Sequence, residues 1–288
     1  MQLETIYLKD HYPFLGENGA DPVLTVYVRD ELPFKNYPNI KRPGIVLCPG
    51  GGYSSVSPRE AEPIALQLLA MGCNVFMLKY SVAPHGFPHQ LREVAAVMEL
   101  IYQNSDSWNT DTGKIGILGF SAGGHLAGHY TNAYDFPEVR AVFPESKPVQ
   151  ASILCYPVIA VDPVHGHRGS FQRLTGLEDP FTPEVYEKFS CHRLVTDKTP
   201  PAFLWHTTTD TVVPVANSLL YAQALADHKI PFALHIYPYG PHGLSTVDAE
   251  TNKKVNPEYA PAQAWLPELE KWLDIQFDIW GVKEDALV

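Results

Sequence analysis

An α/β fold with a mostly parallel central sheet flanked by helices is predicted by three features of this 288-residue sequence. Strand-length apolar runs alternate with segments of helical period from about residue 43 onward, helix signals of their own stand between those runs, and the composition suffices for one large core. Hydrophobic residues make up 45% of the chain and charged residues 18%, which excludes a disordered chain and favours a single domain over residues 1–288.

The elements follow in order. Residues 24–29 alternate in polarity and suit an antiparallel edge strand, while the segment 1–39 as a whole carries no interpretable motif. Strands are predicted at 43–48, 73–80, 114–120, 151–158, 202–206 and 232–237; the third to fifth are almost unbroken in apolar character, as strands covered on both faces are. Ser57-Pro58-Arg59-Glu60 reads as a capping box, with serine at the N-cap, proline at N1 and glutamate at N3, opening a helix to about Ala70. Leu91, Val94, Ala95, Met98 and Ile101 mark one face of a helix over about 88–103, and small residues give another over 122–130. Trp265, Leu269, Trp272 and Gln276, beside Leu266 and Leu273, predict a closing amphipathic helix. The stretch 162–199 is rich in Pro, Gly and His, lacks a clean period and lies between two core strands, so it is expected to be a cap or lid insertion.

Lysine and arginine number 21 against 32 aspartate and glutamate, a net charge of −11 with no basic run, which argues against nucleic acid as a partner. Met1-Gln2-Leu3-Glu4-Thr5 lacks the basic and apolar regions of a signal peptide, and no run of about 18 apolar residues occurs. An unexported cytoplasmic protein without a membrane partner is therefore expected. Cys48, Cys73, Cys155 and Cys191 form no CxxC pair and mostly sit in or beside apolar runs, so they read as buried thiols.

Chemistry concentrates in three places. Gly119-Phe120-Ser121-Ala122-Gly123 has the pattern GxSxG between a predicted strand and a helix, a turn that exposes a serine hydroxyl where negative charge is favoured. Serine needs a base to take its proton and a carboxylate to orient that base. Asp210 and His242 meet the need, each lying just past the C-terminal end of a parallel strand, the edge where open α/β sheets place their sites. An oxyanion formed by the attack needs preorganised N–H donors, and Cys48-Pro49-Gly50-Gly51-Gly52-Tyr53 can supply them together with Ala122. His125 and His129 stand at i, i+4, but no Glu follows His125 as in HExxH, so they read as structural and no metal or other cofactor is expected.

On these residues the chain resembles the α/β-hydrolases of the carbohydrate acetyl esterase type, close to acetyl xylan and sugar esterases and more distantly the hormone-sensitive-lipase-like esterases. The resemblance covers residues 43–244 through Pro49-Gly50-Gly51-Gly52-Tyr53, Tyr80-Ser81-Val82-Ala83-Pro84, Gly119-Phe120-Ser121-Ala122-Gly123-Gly124-His125, Asp210 with Val213-Pro214, and Gly240-Pro241-His242-Gly243. It implies an α/β-hydrolase fold, a triad of Ser121, Asp210 and His242 in that order, and an oxyanion hole of Gly51, Gly52 and Ala122. Where the lipase-like relatives begin the glycine motif with His this chain has Pro49, which moves the match toward the sugar esterases and leaves open which amide of the run 50–53 points inward.

The activity the resemblance implies is hydrolysis of short acyl esters, acetyl first, on sugars or xylo-oligosaccharides. A small acylated sugar or short-chain ester is the expected partner, and a homo-oligomer stays open. A carboxylesterase or lactonase without sugar preference remains an alternative; a serine peptidase, for which too little chain precedes the core, and a non-catalytic ligand-binding relative, which would have lost His242, are weaker ones. Tyr53, beside the glycine loop, and His165 and His167, in the insertion, are candidates to line the substrate mouth.

Overall fold

In the computed structural model, which describes residues 1–30, 41–254 and 256–279, one eight-stranded sheet is covered on both faces by helices. In chain order the elements are β1 (Gln2–Tyr7), α1 (Leu8–His11), β2 (Val23–Val28), β3 (Arg42–Cys48), α2 (Glu62–Ala70), β4 (Asn74–Lys79), α3 (His89–Gln103), β5 (Thr110–Phe120), α4 (Ser121–Ala133), α5 (Pro137–Arg140), β6 (Ala151–Cys155), α6 (Arg168–Thr175), α7 (Pro183–Phe189), β7 (Ala202–Thr207), α8 (Ala216–Asp227), β8 (Phe232–Tyr237) and α9 (Trp265–Phe277). The strand order is β1-β2-β4-β3-β5-β6-β7-β8. The β1–β2 and β2–β4 pairs are antiparallel, and β4 through β8 are joined in parallel.

Parallel strands need crossover helices, and these cover both faces, so residues of both parities are apolar along β3 and β5. Val46, Ile115 and Ile117 pack with α3, α4 and α8 on one face. Ile45, Leu47 and Leu118 pack with α2 and α9 on the other, where Trp205 stacks on Trp265 with centroids 5.1 Å apart. The chain leaves β3 over one face and β5 over the other, and Cys48 at the end of β3 pairs with Gly119 at the end of β5. This is the topological switch point, where the loops after the two strands separate and leave a crevice.

Several sequence expectations need correction. The capping box does not form: Ser57 makes no side-chain cap, residues Pro58–Glu60 are a single 3-10 turn, and Ala61 (φ −102°, ψ −105°) breaks the chain before α2. Glu60 instead turns inward. The strand expected over 151–158 stops at Cys155, because Tyr156 adopts φ +35° and Val158 N–H donates to Ser121 O at 3.0 Å, which brings the chain across the Ser121 backbone. The stripe buried by α9 is Trp265, Leu269, Leu273 and Phe277, at i, i+4, while Trp272 is only partly buried. The stretch 162–199 holds two short helices, α6 and α7, and a 3-10 turn at Cys191–Arg193, joined by irregular segments. From the segment 1–39, β1 forms a six-residue register with β2; residues 31–39 lie outside the described residues. All four cysteines are buried and unpaired. Among the described residues no helix is long and apolar enough to cross a membrane.

The turn after β4 supports the glycine loop from below. Tyr80 OH donates to Pro49 O at 2.7 Å, and Ser81 N–H donates to Glu93 Oε2 on α3 at 2.8 Å. Burial pushes the Glu93 carboxyl up from 4.5 to about 7, with the hydrogen bonds from Ser81 opposing it. The native chain thus keeps a proton that the unfolded chain gives up earlier. The stabilisation is full below pH about 4.5 and is lost as pH rises through about 7. Glu93→Gln keeps an acceptor for Ser81 and removes the ionisation. Thermal scans should therefore show a Tm difference, variant minus wild type, roughly 5 °C more positive at pH 8 than at pH 5; equal differences at both pH values would contradict the burial argument.

Candidate active site

Ser121 opens α4 directly after β5 with φ +54°, a left-handed backbone that a non-glycine residue adopts only under constraint. The constraint comes from its neighbours. A β-carbon on Gly119 would stand 2.1 Å from Gly123 O, and one on Gly123 would stand 2.1 Å from Cys48 O, so side chains at either place would push α4 off the end of β3. The Ser121 hydroxyl is left at the N-terminus of a helix, where the first amides have no intrahelical acceptor.

Asp210 follows β7 and His242 follows β8, and the structure brings both to Ser121. Ser121 Oγ lies 2.7 Å from His242 Nε2, and His242 Nδ1 lies 2.6 Å from Asp210 Oδ2. A carboxylate accepts, so Nδ1 carries the proton and Nε2 is left to accept from the serine. The Asp210 side chain is 1% exposed and that of His242 16%, which keeps the carboxylate dry while the imidazole faces the crevice. Oδ1 of Asp210 accepts the N–H groups of Val212 and Val213, both at 2.9 Å. Burial would raise the Asp210 carboxyl, but hydrogen bonds from His206 and His242, the His242 charge and the Val213 amide together hold it well below the usual carboxylate range. The group is ionised at neutral pH.

The glycine loop lies against Ser121: a β-carbon on Gly50 would stand 3.1 Å from Ser121 Cβ. Gly50 N–H is taken by Glu60 Oε2 at 2.9 Å. Gly51 (φ +131°) and Gly52 (φ +62°) carry N–H groups without a protein acceptor among the described residues. Ala122, second residue of α4, has an amide with no intrahelical acceptor. The run 50–53 thus has its first amide occupied by Glu60, and the next two stay available.

The mouth residues fare differently. Tyr53 is buried at 1% exposure, its OH 2.8 Å from His125 Nδ1 and its ring against Tyr80, so it cannot stack on a sugar. His125 Nε2 contacts Phe189 O at 2.8 Å, and both its nitrogens are therefore occupied by protein. His165 Nδ1 is held by Asp162 at 3.1 Å and makes no contact with the triad. His167 caps α6: its Nδ1 accepts from Ser170 N–H at 3.3 Å and lies 2.7 Å from Ser170 Oγ. Burial, then the charges of His242 and Arg173, lower the His167 pKa, so the ring is neutral with its proton on Nε2, which has no protein partner among the described residues. Arg173 on the same helix donates to Gly52 O at 3.2 Å, tying α6 to the glycine loop. Sequence reasoning missed Glu60, Tyr156 and His206; only Glu60 left a signal, a glutamate in a Pro-Arg-Glu run that local capping explained too easily.

Comparison with known proteins agrees with the fold. Residues 32–225 match the BD-FAE family model. The chain is 35% identical over 257 residues to endo-1,4-beta-xylanase B of Butyrivibrio fibrisolvens, covering 86% of this chain and 38% of that protein. It is 33% identical over 206 residues to an acetylxylan esterase of Xylanibacter ruminicola, covering 69% of this chain and 40% of that one. The chain thus spans less than half the length of these two curated relatives. An acetyl ester-xyloside bifunctional hydrolase from Caldicellulosiruptor lactoaceticus superposes with TM-score 0.79 at 34% identity, over 94% of this chain and 96% of that one. A carboxylesterase from Lactobacillus plantarum superposes with TM-score 0.80 at 30% identity, over 96% and 98%. With its mostly parallel sheet, its switch-point crevice and these relatives, the chain belongs to the BD-FAE family and has the α/β-hydrolase fold.

Proposed function

We propose that this chain is a serine esterase that removes short acyl groups, acetyl first, from sugar hydroxyls through an acyl-enzyme. The observation that carries the reading is the hydrogen-bonded series Ser121, His242, Asp210 at 2.7 and 2.6 Å beside a glycine loop with open amides. His242 Nε2 takes the Ser121 proton as Oγ attacks the ester carbonyl, and the amides of Gly51, Gly52 and Ala122 receive the oxyanion. The imidazolium, stabilised by ionised Asp210, then protonates the departing sugar alkoxide. In the second half His242 activates water, which attacks the acyl carbonyl and frees Ser121.

The sugar preference is supported by the names of the xylan-related relatives. In this reading residues 162–199 form a cap within one domain, and neutral His167 offers its Nε2–H to a substrate hydroxyl. A general short-chain carboxylesterase is the second reading, favoured by the Lactobacillus plantarum neighbour. The deciding experiment measures acetate released from acetylated xylo-oligosaccharides beside hydrolysis of nitrophenyl acetate, butyrate and octanoate, with Ser121→Ala as control. Serine-dependent release from the sugar, with activity falling steeply beyond short acyl chains, is the expected result. Turnover of nitrophenyl esters alone would leave the general carboxylesterase.

A further inference from the structure

Glu60 is buried at 3% exposure, and its two oxygens reach different loops. Oε2 accepts Gly50 N–H at 2.9 Å, and Oε1 accepts Tyr156 OH at 2.7 Å. Tyr156 Oη in turn accepts Ser245 N–H at 3.0 Å, three residues past His242, and the Tyr156 ring packs edge-on against the His242 imidazole with centroids 5.1 Å apart. The neighbouring Arg59 carbonyl accepts Ser245 OH at 2.6 Å. A β-carbon on Gly50 would stand 2.6 Å from Glu60 Oε2 and 3.1 Å from Ser121 Cβ, so the Gly50 backbone is pressed between carboxylate and nucleophile.

We propose that Glu60 is a positioning residue that fixes the oxyanion loop relative to the His242 loop, one arm through Gly50 N–H and the other through Tyr156 to Ser245. The inference rests on the esterase reading of the same site. Catalysis by amides requires donors held about 2.7–3.1 Å from where the oxyanion will form, and glycine-rich loops do not hold such a position unaided. A carboxylate makes stronger hydrogen bonds than a neutral acceptor, and a buried one persists because its oxygens are both bonded. By claiming the Gly50 amide, Glu60 sets the orientation of that peptide plane and hence of the Gly51 and Gly52 amides that follow. The same group steadies the residue behind His242.

The test compares Glu60→Ala, Glu60→Gln and Tyr156→Phe with wild type and Ser121→Ala. Glutamine can offer its carbonyl oxygen to Gly50 N–H and its NH2 to Tyr156 Oη, which keeps both contacts without the charge but reverses the second and takes away the acceptor of the Tyr156 hydroxyl proton. On nitrophenyl acetate, kcat should fall about 100-fold in Glu60→Ala with KM little changed, fall about tenfold in Tyr156→Phe, and stay within about fivefold of wild type in Glu60→Gln. Affinity for an alkyl boronic acid, which forms a tetrahedral adduct on Ser121, should fall in step with kcat. Circular dichroism and a thermal scan accompany each variant; should Glu60→Ala fail to fold, the glutamine and phenylalanine variants carry the test. A Glu60→Gln enzyme as slow as Glu60→Ala, an unchanged kcat in Tyr156→Phe, or a kcat loss with unaltered boronate affinity overturns the proposal. Wild-type turnover that does not depend on Ser121 would instead defeat the esterase reading, so the two failures are distinct.

Discussion

Ser121→Ala is expected to lower kcat on short-chain esters by about 10⁵- to 10⁶-fold, leaving a residual of roughly 10³ over water. The loss is large because the series ends on one hydroxyl: His242 Nε2 has its proton donor at 2.7 Å in Ser121 Oγ. Among the described residues no other hydroxyl or thiol is hydrogen-bonded to His242 Nε2. Cys48, at the end of β3, and Cys155, at the end of β6, are fully buried, and burial pushes both thiols upward, so neither supplies a thiolate at neutral pH. The residual rate comes from what the substitution leaves behind, the loop amides and the binding crevice. Alanine matches serine in backbone demands, so the left-handed turn should survive and the Tm should stay within a few degrees. The measurement is steady-state turnover of purified variant beside attachment of a fluorophosphonate, which should be lost. Activity within tenfold of wild type would remove Ser121 from the mechanism.

The meeting of Ser121, His242 and Asp210 at 2.7 and 2.6 Å was legible because each stands in a local pattern tied to a strand end. Gly119 and Gly123 are written into the sequence by backbone contacts as close as 2.1 Å to where their β-carbons would stand, a demand that only glycine meets. Apolar runs placed the core strands in a related way, since a strand covered on both faces keeps few polar positions, such as Ser152 and His206. What the sequence concealed was long-range. Glu60 obeys a local capping pattern, yet the bonds it makes are to Gly50, ten positions back, and Tyr156, 96 positions on. Tyr53 was expected at the substrate mouth because it adjoins the glycine loop, but its hydroxyl meets His125, 72 residues away, and the side chain is buried. The helices α6 and α7 escaped notice because each is short, so neither offers enough turns to establish a period; their starts are marked instead by the side-chain caps of His167 and Thr182.

Asp210→Asn carries the other large expectation, a fall in kcat of about 10⁴-fold with the fold intact. The magnitude follows from which way the amide must face. Oδ1 of Asp210 receives two N–H groups, from Val212 and Val213. An asparagine that turned its NH2 toward them would set donor against donor, so its carbonyl oxygen takes that place and its NH2 faces His242. That NH2 can only donate, and His242 Nδ1 must then accept, which moves the imidazole proton to Nε2 and leaves Ser121 without a base. His206 worsens the fit: its Nε2 donates to Val213 O at 2.9 Å and stands 3.3 Å from Oδ2, so the new NH2 would meet a second donor there. The ionised carboxylate also gives the native state stability that is present above pH about 4 and lost as pH falls, because its pKa is depressed relative to the unfolded chain. Asn removes that contribution, so the variant's Tm deficit should be full above pH about 4 and shrink as pH falls below it. Kinetics at pH 7 and thermal scans from about pH 2 to 7 read both effects. A variant retaining a tenth of wild-type kcat would mean that His242 keeps its tautomer without Asp210, and the orienting role would pass elsewhere.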